Sequence, residues 1–150
     1  MLPHNHFLIA GLAIAPVSAV LYPEKTILEI SEWVLVGGLV SSAIDLDIVA
    51  LVLLKSKQET RLRPFRNPLS IYQKFKLFMN TITDTGVLKT ALKTHLVFSV
   101  IILSFFYLFS NAYFVPVVLG IASHLLSDIP NVRRLAAQAD NIARMDMPIT

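Results

Sequence analysis

The sequence predicts an all-α integral membrane bundle of four transmembrane helices, with an interfacial amphipathic helix between spans two and three. Three observations carry that expectation. Of 150 residues, 55% are hydrophobic and only 15% charged, and the mean hydropathy is +0.64. A soluble domain carries about 25% charged residues because its surface has to hydrate. The apolar residues gather into four stretches near the length of a span, and the positive charges gather between the second and third. This excludes a disordered chain, a coiled coil and most soluble enzymes. The absence of cysteine excludes disulfides and thiolate metal sites.

A span needs roughly 20 apolar residues at about 1.5 Å of rise each. Residues 7–22 form the first, interrupted by Ser18 and Pro16. Residues 34–54 form the second, apolar apart from serines and the acids Asp45 and Asp47. The stretch from His95 to Ser127 would make a helix of about 50 Å, too long for one crossing. A tight hairpin at Ser110-Asn111 therefore divides it into spans at 95–110 and 112–127. Residues 1–132 form the membrane domain and residues 133–150 a cytoplasmic tail. A cleavable signal peptide is the competing account of the first 20 residues, since Val17-Ser18-Ala19 resembles a cleavage site, but no Lys or Arg precedes Phe7.

Loop charge orients the bundle. Residues 55–93 hold nine Lys and Arg against Glu59 and Asp84, a net +7, whereas Pro23 to Trp33 carries a net −2. The positive-inside rule places the basic loop and both termini in the cytoplasm, with a multi-pass chain in the cytoplasmic membrane. Its partner is then a bilayer with anionic headgroups. Within that loop Asn67-Pro68 reads as an N-cap followed by proline at the first helical position. Ile71, Tyr72, Phe75, Phe78, Met79 and Ile82 then recur at helical spacing. That helix either lies in the headgroup region or packs on the bundle. Asp84-Thr85-Gly86 breaks the chain before a helix that starts near Val87 and runs into span three.

Several polar residues sit where lipid should exclude them. An Asp near mid-membrane costs about 2.5–3.5 kcal/mol on insertion scales, so it signals a partner, an ion or a cavity. Asp45 and Asp47 lie in span two, His124 and Asp128 end span four, His6 precedes span one and His95 opens span three. Up-and-down topology brings all six to the cytoplasmic half of one bundle. Three imidazoles and three carboxylates suit zinc first, with manganese or iron as alternatives. His124 and Asp128, four residues apart, share a helix face. Asp45 and Asp47 stand about 200° apart on a regular helix, so both reach one site only if the helix loosens, and one of them could instead orient a histidine. The plainer readings are that Asp128 ends its helix before Pro130, that Asp45 pairs with Lys55 or Lys93, and that His4 is solvent-exposed.

These residues resemble the small membrane-bound metal-dependent hydrolases, some of them LexA-regulated inner-membrane proteins. His6 with Gly11, Asp45-Leu46-Asp47, Thr94-His95, and Gly120-Ile121-Ala122-Ser123-His124-Leu125-Leu126-Ser127-Asp128 follow that family's motifs in order over residues 1–130. Ile48 stands where the family has His, Thr90-Ala91-Leu92 where it has His-Arg-Gly, and Ala43 where it commonly has Pro. The resemblance implies a divalent metal on His6, Asp45, Asp47, His95, His124 and Asp128, with Asp45 or Asp47 as catalytic acid–base. It also implies hydrolysis of a phosphate- or ester-containing amphiphile at the cytoplasmic leaflet. A non-catalytic metal-binding or structural relative, or a proton or ion conduit through Asp45, Asp47 and His124, are the alternatives. No Walker loop, HExxH, GxGxxG or nucleophile triad occurs, and nothing points to nucleic acid.

Overall fold

The computed structural model describes residues 3–145, and the last part of the expected tail, residues 146–150, lies outside them. The described residues form helices joined by short turns, with no strand among them. Helix α1 spans Pro3–Leu21 and α2 spans Ile27–Ala43. Thr26 and Glu29 close a capping box at the start of α2, each side chain satisfying a backbone N–H of the other. Helix α3 follows at Leu46–Lys55, then a 3₁₀ segment at Thr60–Arg66, α4 at Pro68–Gln73 and α5 at Phe75–Asp84. Helix α6 runs over Val87–Phe109, a 3₁₀ turn over Asn111–Tyr113, α7 over Phe114–Ser127 and α8 over Ile129–Met145. Four helical stretches, Pro3–Leu21, Ile27–Lys55, Val87–Phe109 and Asn111–Ala137, are long and apolar enough to cross a membrane.

Two differences from the sequence reading matter. The second span is two helices, because the chain tightens between Ala43 and Leu46. Asp47 N–H donates to the Ile44 carbonyl and Ile48 N–H to the Asp45 carbonyl, both i→i+3 bonds. The amphipathic helix is also divided, at Lys74, whose φ of −123° and ψ of 39° leave the helical region. Its apolar face packs on the bundle: Phe78, Met79 and Ile82 are buried with Val52, Leu62, Phe65, Val87 and Leu88. Helix α6 begins at Val87 as expected, with Gly86 at φ 71° making the turn. Asn67 does cap α4, accepting from Leu69 N–H, and the hairpin does fall at Ser110-Asn111.

Helices α1, α2 and α7 form the tightest packing unit. Lipid is as apolar as leucine, so helices in a bilayer associate through close backbone approach rather than through hydrophobic burial. Here His6, Ala10, Ile14 and Ser18 make a buried stripe at four-residue spacing on α1, and small residues line the opposing faces. A Cβ added at Gly120 of α7 would collide with the backbone carbonyl of Gly37 on α2, and one at Gly37 with the carbonyl of Pro116. The outward faces of α6, carrying Leu96, Val97, Phe98, Val100 and Ile101, are exposed and suited to lipid. At one end Tyr22 stacks edge-on against Trp33 at 5.1 Å, with Lys25 4.6 Å over the indole. Tyr113 packs there too, as an interfacial aromatic belt would.

Gly120→Ala therefore forces α2 and α7 apart. The expected outcome is a loss of about 1–3 kcal/mol of stability in detergent, read by thermal or chemical unfolding. Gly86→Ala, whose Cβ meets open space, costs only the left-handed strain of about 1–2 kcal/mol.

Candidate metal centre

The polar residues gather at the end of the bundle opposite the Tyr22–Trp33 belt, where α1 begins and α2 and α7 end. His6 comes from the first turns of α1, Asp45 from the tightened joint between α2 and α3, and Asp47 from the first turn of α3. His95 sits in α6, His124 in α7, and Asp128 at the junction of α7 with α8. All six are buried, each less than a tenth exposed. The tightened joint explains how two acids two residues apart face one region. At about 120° per 3₁₀ residue they stand about 120° apart, against about 160° the short way round on an α-helix.

Two groups of three could each hold a metal ion: His6, His124 and Asp128, and Asp45, His95 and His124. Within them His6 Nε2 lies 3.4 Å from Asp45 Oδ2, and His124 Nε2 lies 3.4 Å from Asp128 Oδ2. His95 Nε2 lies 3.6 Å from both Asp45 Oδ1 and Asp128 Oδ2, and His124 Nε2 lies 3.9 Å from Asp45 Oδ1. None of these pairs forms a well-placed hydrogen bond. The separations are close to a coordination edge: ligand bonds of about 2.0–2.2 Å in a tetrahedron place the ligand atoms about 3.3–3.6 Å apart.

The surrounding hydrogen bonds set which nitrogens face the centre. His95 Nδ1 lies 2.8 Å from Asp47 Oδ2, an oxygen that also accepts from the Thr94 hydroxyl. An acceptor there puts the His95 proton on Nδ1 and leaves Nε2 as a lone pair toward Asp45 and Asp128. The Ser127 hydroxyl donates to the His124 carbonyl at 2.8 Å and lies 2.8 Å from His6 Nδ1. Its one proton being engaged, it accepts from His6 Nδ1–H, so His6 Nε2 too presents a lone pair. Asp128 Oδ1 accepts from Asn131 Nδ2 at 2.7 Å, which aims Oδ2 inward. His6 Nε2, Asp45 Oδ2 and both His124 nitrogens have no hydrogen-bond partner. The centre thus gathers lone-pair-bearing nitrogens and carboxylate oxygens that lack hydrogen-bond partners.

Asp47 belongs to neither group. Its Oδ2 stands behind His95, where it orients an imidazole, while its Oδ1 is buried without a hydrogen-bond partner. The ion pair between Asp45 and Lys55 or Lys93 does not form either: Lys55 Nζ donates to Thr90 Oγ1 at 3.4 Å, Lys93 is exposed, and Asp45 faces imidazoles. His4 is exposed, as the sequence implied. Sequence reasoning gave Ser127 and Asn131 no role. Both sit three residues after a site residue, Ser127 after His124 and Asn131 after Asp128, and that spacing was the available signal.

Comparison with protein-family models, with curated proteins and with solved structures found no match. The geometry alone speaks for the site.

Asp47→Asn and Ser127→Ala each leave every inward-facing donor atom in place and remove a partner that orients one. Affinity for a divalent cation, measured by competition against a chromogenic chelator, should fall about 10–100-fold in each. His124→Ala, which breaks both groups, should abolish binding, while His4→Ala should not change it.

Proposed function

We propose that this chain is a membrane-bound hydrolase that depends on a divalent cation and acts on a phosphate- or ester-containing amphiphile at the face of the bilayer. One observation carries the reading: three buried imidazoles and two carboxylates from four segments of the chain converge with unpartnered nitrogens and oxygens, and two of the imidazoles are turned lone pair inward by Asp47 and Ser127. In an apolar bundle that arrangement is stable only around positive charge. The donor set suits zinc first and also accepts manganese or iron.

His6, His124 and Asp128, with His95 beside them, would hold the cation, which would supply Lewis acidity toward a phosphoryl or ester oxygen and acidify water. The remaining chemistry belongs to the chain. Asp45, whose Oδ2 is unpartnered, accepts the proton of the attacking water. Asp47 keeps His95 from turning away, and Ser127 does the same for His6. Burial excludes bulk water, which strengthens each of these charge interactions.

The net +7 of residues 55–93 supports an orientation with this end and both termini in the cytoplasm, and it supports contact with anionic headgroups. Part of that charge is structurally engaged. Arg66 donates to Ser56 Oγ at 2.7 Å and to the Ser56 carbonyl at 3.2 Å. Arg61 grips Glu59 through two bonds of 3.0 and 3.1 Å, holding that carboxyl below its ordinary pKa. Lys74 and Lys76 are exposed and suit contact with the membrane surface.

Purified protein reconstituted with zinc should hydrolyse a long-chain phosphate monoester or carboxylic ester, and lose that activity on chelation. Asp45→Asn should lower turnover about 10²–10⁴-fold while metal remains on the His6, His124 and Asp128 group. Metal content by elemental analysis, measured beside turnover, separates the two. Turnover that survives chelation overturns the metal dependence, and metal without any turnover overturns the enzymatic reading; cation flux in liposomes abolished by Asp47→Asn would replace it with a conduit.

A further inference from the structure

The end of the bundle opposite the metal centre holds a second polar feature. His6 and Tyr22 stand about 24 Å apart along α1 at about 1.5 Å per residue, close to the roughly 30 Å of a hydrocarbon core. The Tyr22–Trp33 belt therefore lies at the other headgroup layer. A cavity of about 420 Å³ opens there, between the turn after α1, the start of α2 and the 3₁₀ turn at Asn111–Tyr113. Its walls mix signs: Glu24, Glu29 and Glu32 carry three negative charges and Lys25 one positive charge.

Two observations set it apart from a solvated rim. One ammonium is already seated, since Lys25 Nζ lies 4.6 Å over the Trp33 ring and 3.5 Å from Glu29 Oε1. Glu29 also accepts from the Thr26 N–H and hydroxyl, both at 2.8 Å. Glu24 and Glu32 line the same cavity, and neither pairs with a cation among the described residues. Trp33, in turn, is only 6% exposed and lines the cavity, and its indole N–H meets no acceptor among the described residues. Carboxylates without a cation thus face the same space as a buried ring whose donor lacks an acceptor.

We infer that this cavity takes the head of a zwitterionic lipid whose cation is a primary ammonium and whose anion is a phosphate, as in phosphatidylethanolamine. The inference stands apart from the hydrolase reading. Charge pairing decides the occupant. A simple cation would answer Glu24 and Glu32 and leave the indole N–H unmet; a simple anion would answer the indole and meet two uncompensated carboxylates. A head of both signs satisfies both, with its ammonium toward the glutamates and its phosphate toward the indole N–H and Lys25. A quaternary ammonium fits less well. Lys25 already takes the Trp33 face it would use, and it has no N–H to give the carboxylates. Depth decides the source: Leu21, Ile27 and Leu28 flank the lining residues in sequence and are exposed, so the cavity mouth borders lipid chains, whose heads are present there at high local concentration.

Trp33 is the only tryptophan in the chain, so its emission reports occupancy directly. The protein in maltoside micelles is titrated with dihexanoyl phosphatidylethanolamine; the matching choline and glycerol lipids and free phosphoethanolamine are the comparisons. Emission should shift saturably with the ethanolamine lipid, and the other three should bind about tenfold more weakly or worse. Glu24→Gln with Glu32→Gln, both at exposed positions, should weaken the ethanolamine lipid about tenfold, while Glu59→Gln at the other end should not. Ala112→Phe, which fills the cavity from the 3₁₀ turn, should abolish the shift, and EDTA should leave it unchanged. An equal response to the choline or glycerol lipid, or one that the paired Gln variant does not alter, overturns the proposal. Saturation by phosphoethanolamine at the same concentration overturns the lipid as its source.

Discussion

Three carboxylates and three imidazoles, all withdrawn from water at one end of an apolar bundle, have to neutralise one another or gather a cation, and the local architecture follows from how that demand is met. A lone ionised carboxylate in such a setting is costly enough that it changes protonation or finds a partner. Asp47 finds two, in Thr94 and His95. Asp128 satisfies one oxygen through Asn131 and turns the other inward. Asp45 has imidazole nitrogens 3.4–3.9 Å away, and its Oδ2 makes no hydrogen bond with any of them. Uncompensated charge thus collects where Asp45, Asp128 and the lone pairs of His6, His95 and His124 meet, and the outer bonds work to keep it there.

Much of this was legible in the sequence, for physical reasons that are easy to name. Hydrocarbon admits few polar groups, so His6, Asp45, Asp47, His95, His124 and Asp128 stood out against their surroundings. Alternating span direction then put them at one depth. The hairpin followed from a length too great for one crossing, and Asn67-Pro68 marked the start of α4 through cap chemistry. The joint at residues 44–45 was not legible. Gly37 and Gly38 were the residues nearby with backbone freedom, yet they stay helical, because their role is close approach to Pro116 and Phe7. The helix tightens instead at Ile44-Asp45, where composition shows no breaker. The division at Lys74 was hidden for the same reason. Periodicity through residues 71–82 reads across it, since one residue out of register leaves the apolar stripe nearly continuous.

Roles within the site were less legible than membership. Asp45 and Asp47 are equivalent as letters, and only the turn between them decides which faces the imidazoles and which stands behind one. Ser127 is an ordinary helix serine until its proton is seen to be engaged by the His124 carbonyl, which obliges it to accept from His6. Tautomers follow from hydrogen bonds between distant segments, and no spacing rule within one helix encodes them.

The way the helices pack gives the centre a second consequence. Helices α1, α2 and α7 are held by backbone contacts at Gly37 and Gly120, and they alone bring His6 and His124 together, ring centroids 4.2 Å apart. Helix α6 has no glycine, and its largest side chains face outward. Its link to the site is His95, tied through Asp47 to α3 and facing Asp45 and Asp128 across 3.6 Å. Because lipid offers helices no hydrophobic reason to associate, a cation between His95 and those carboxylates would also fasten α6 to the other three spans. Ligand binding and bundle assembly would then draw on the same free energy, which would link occupancy of the centre to integrity of the fold.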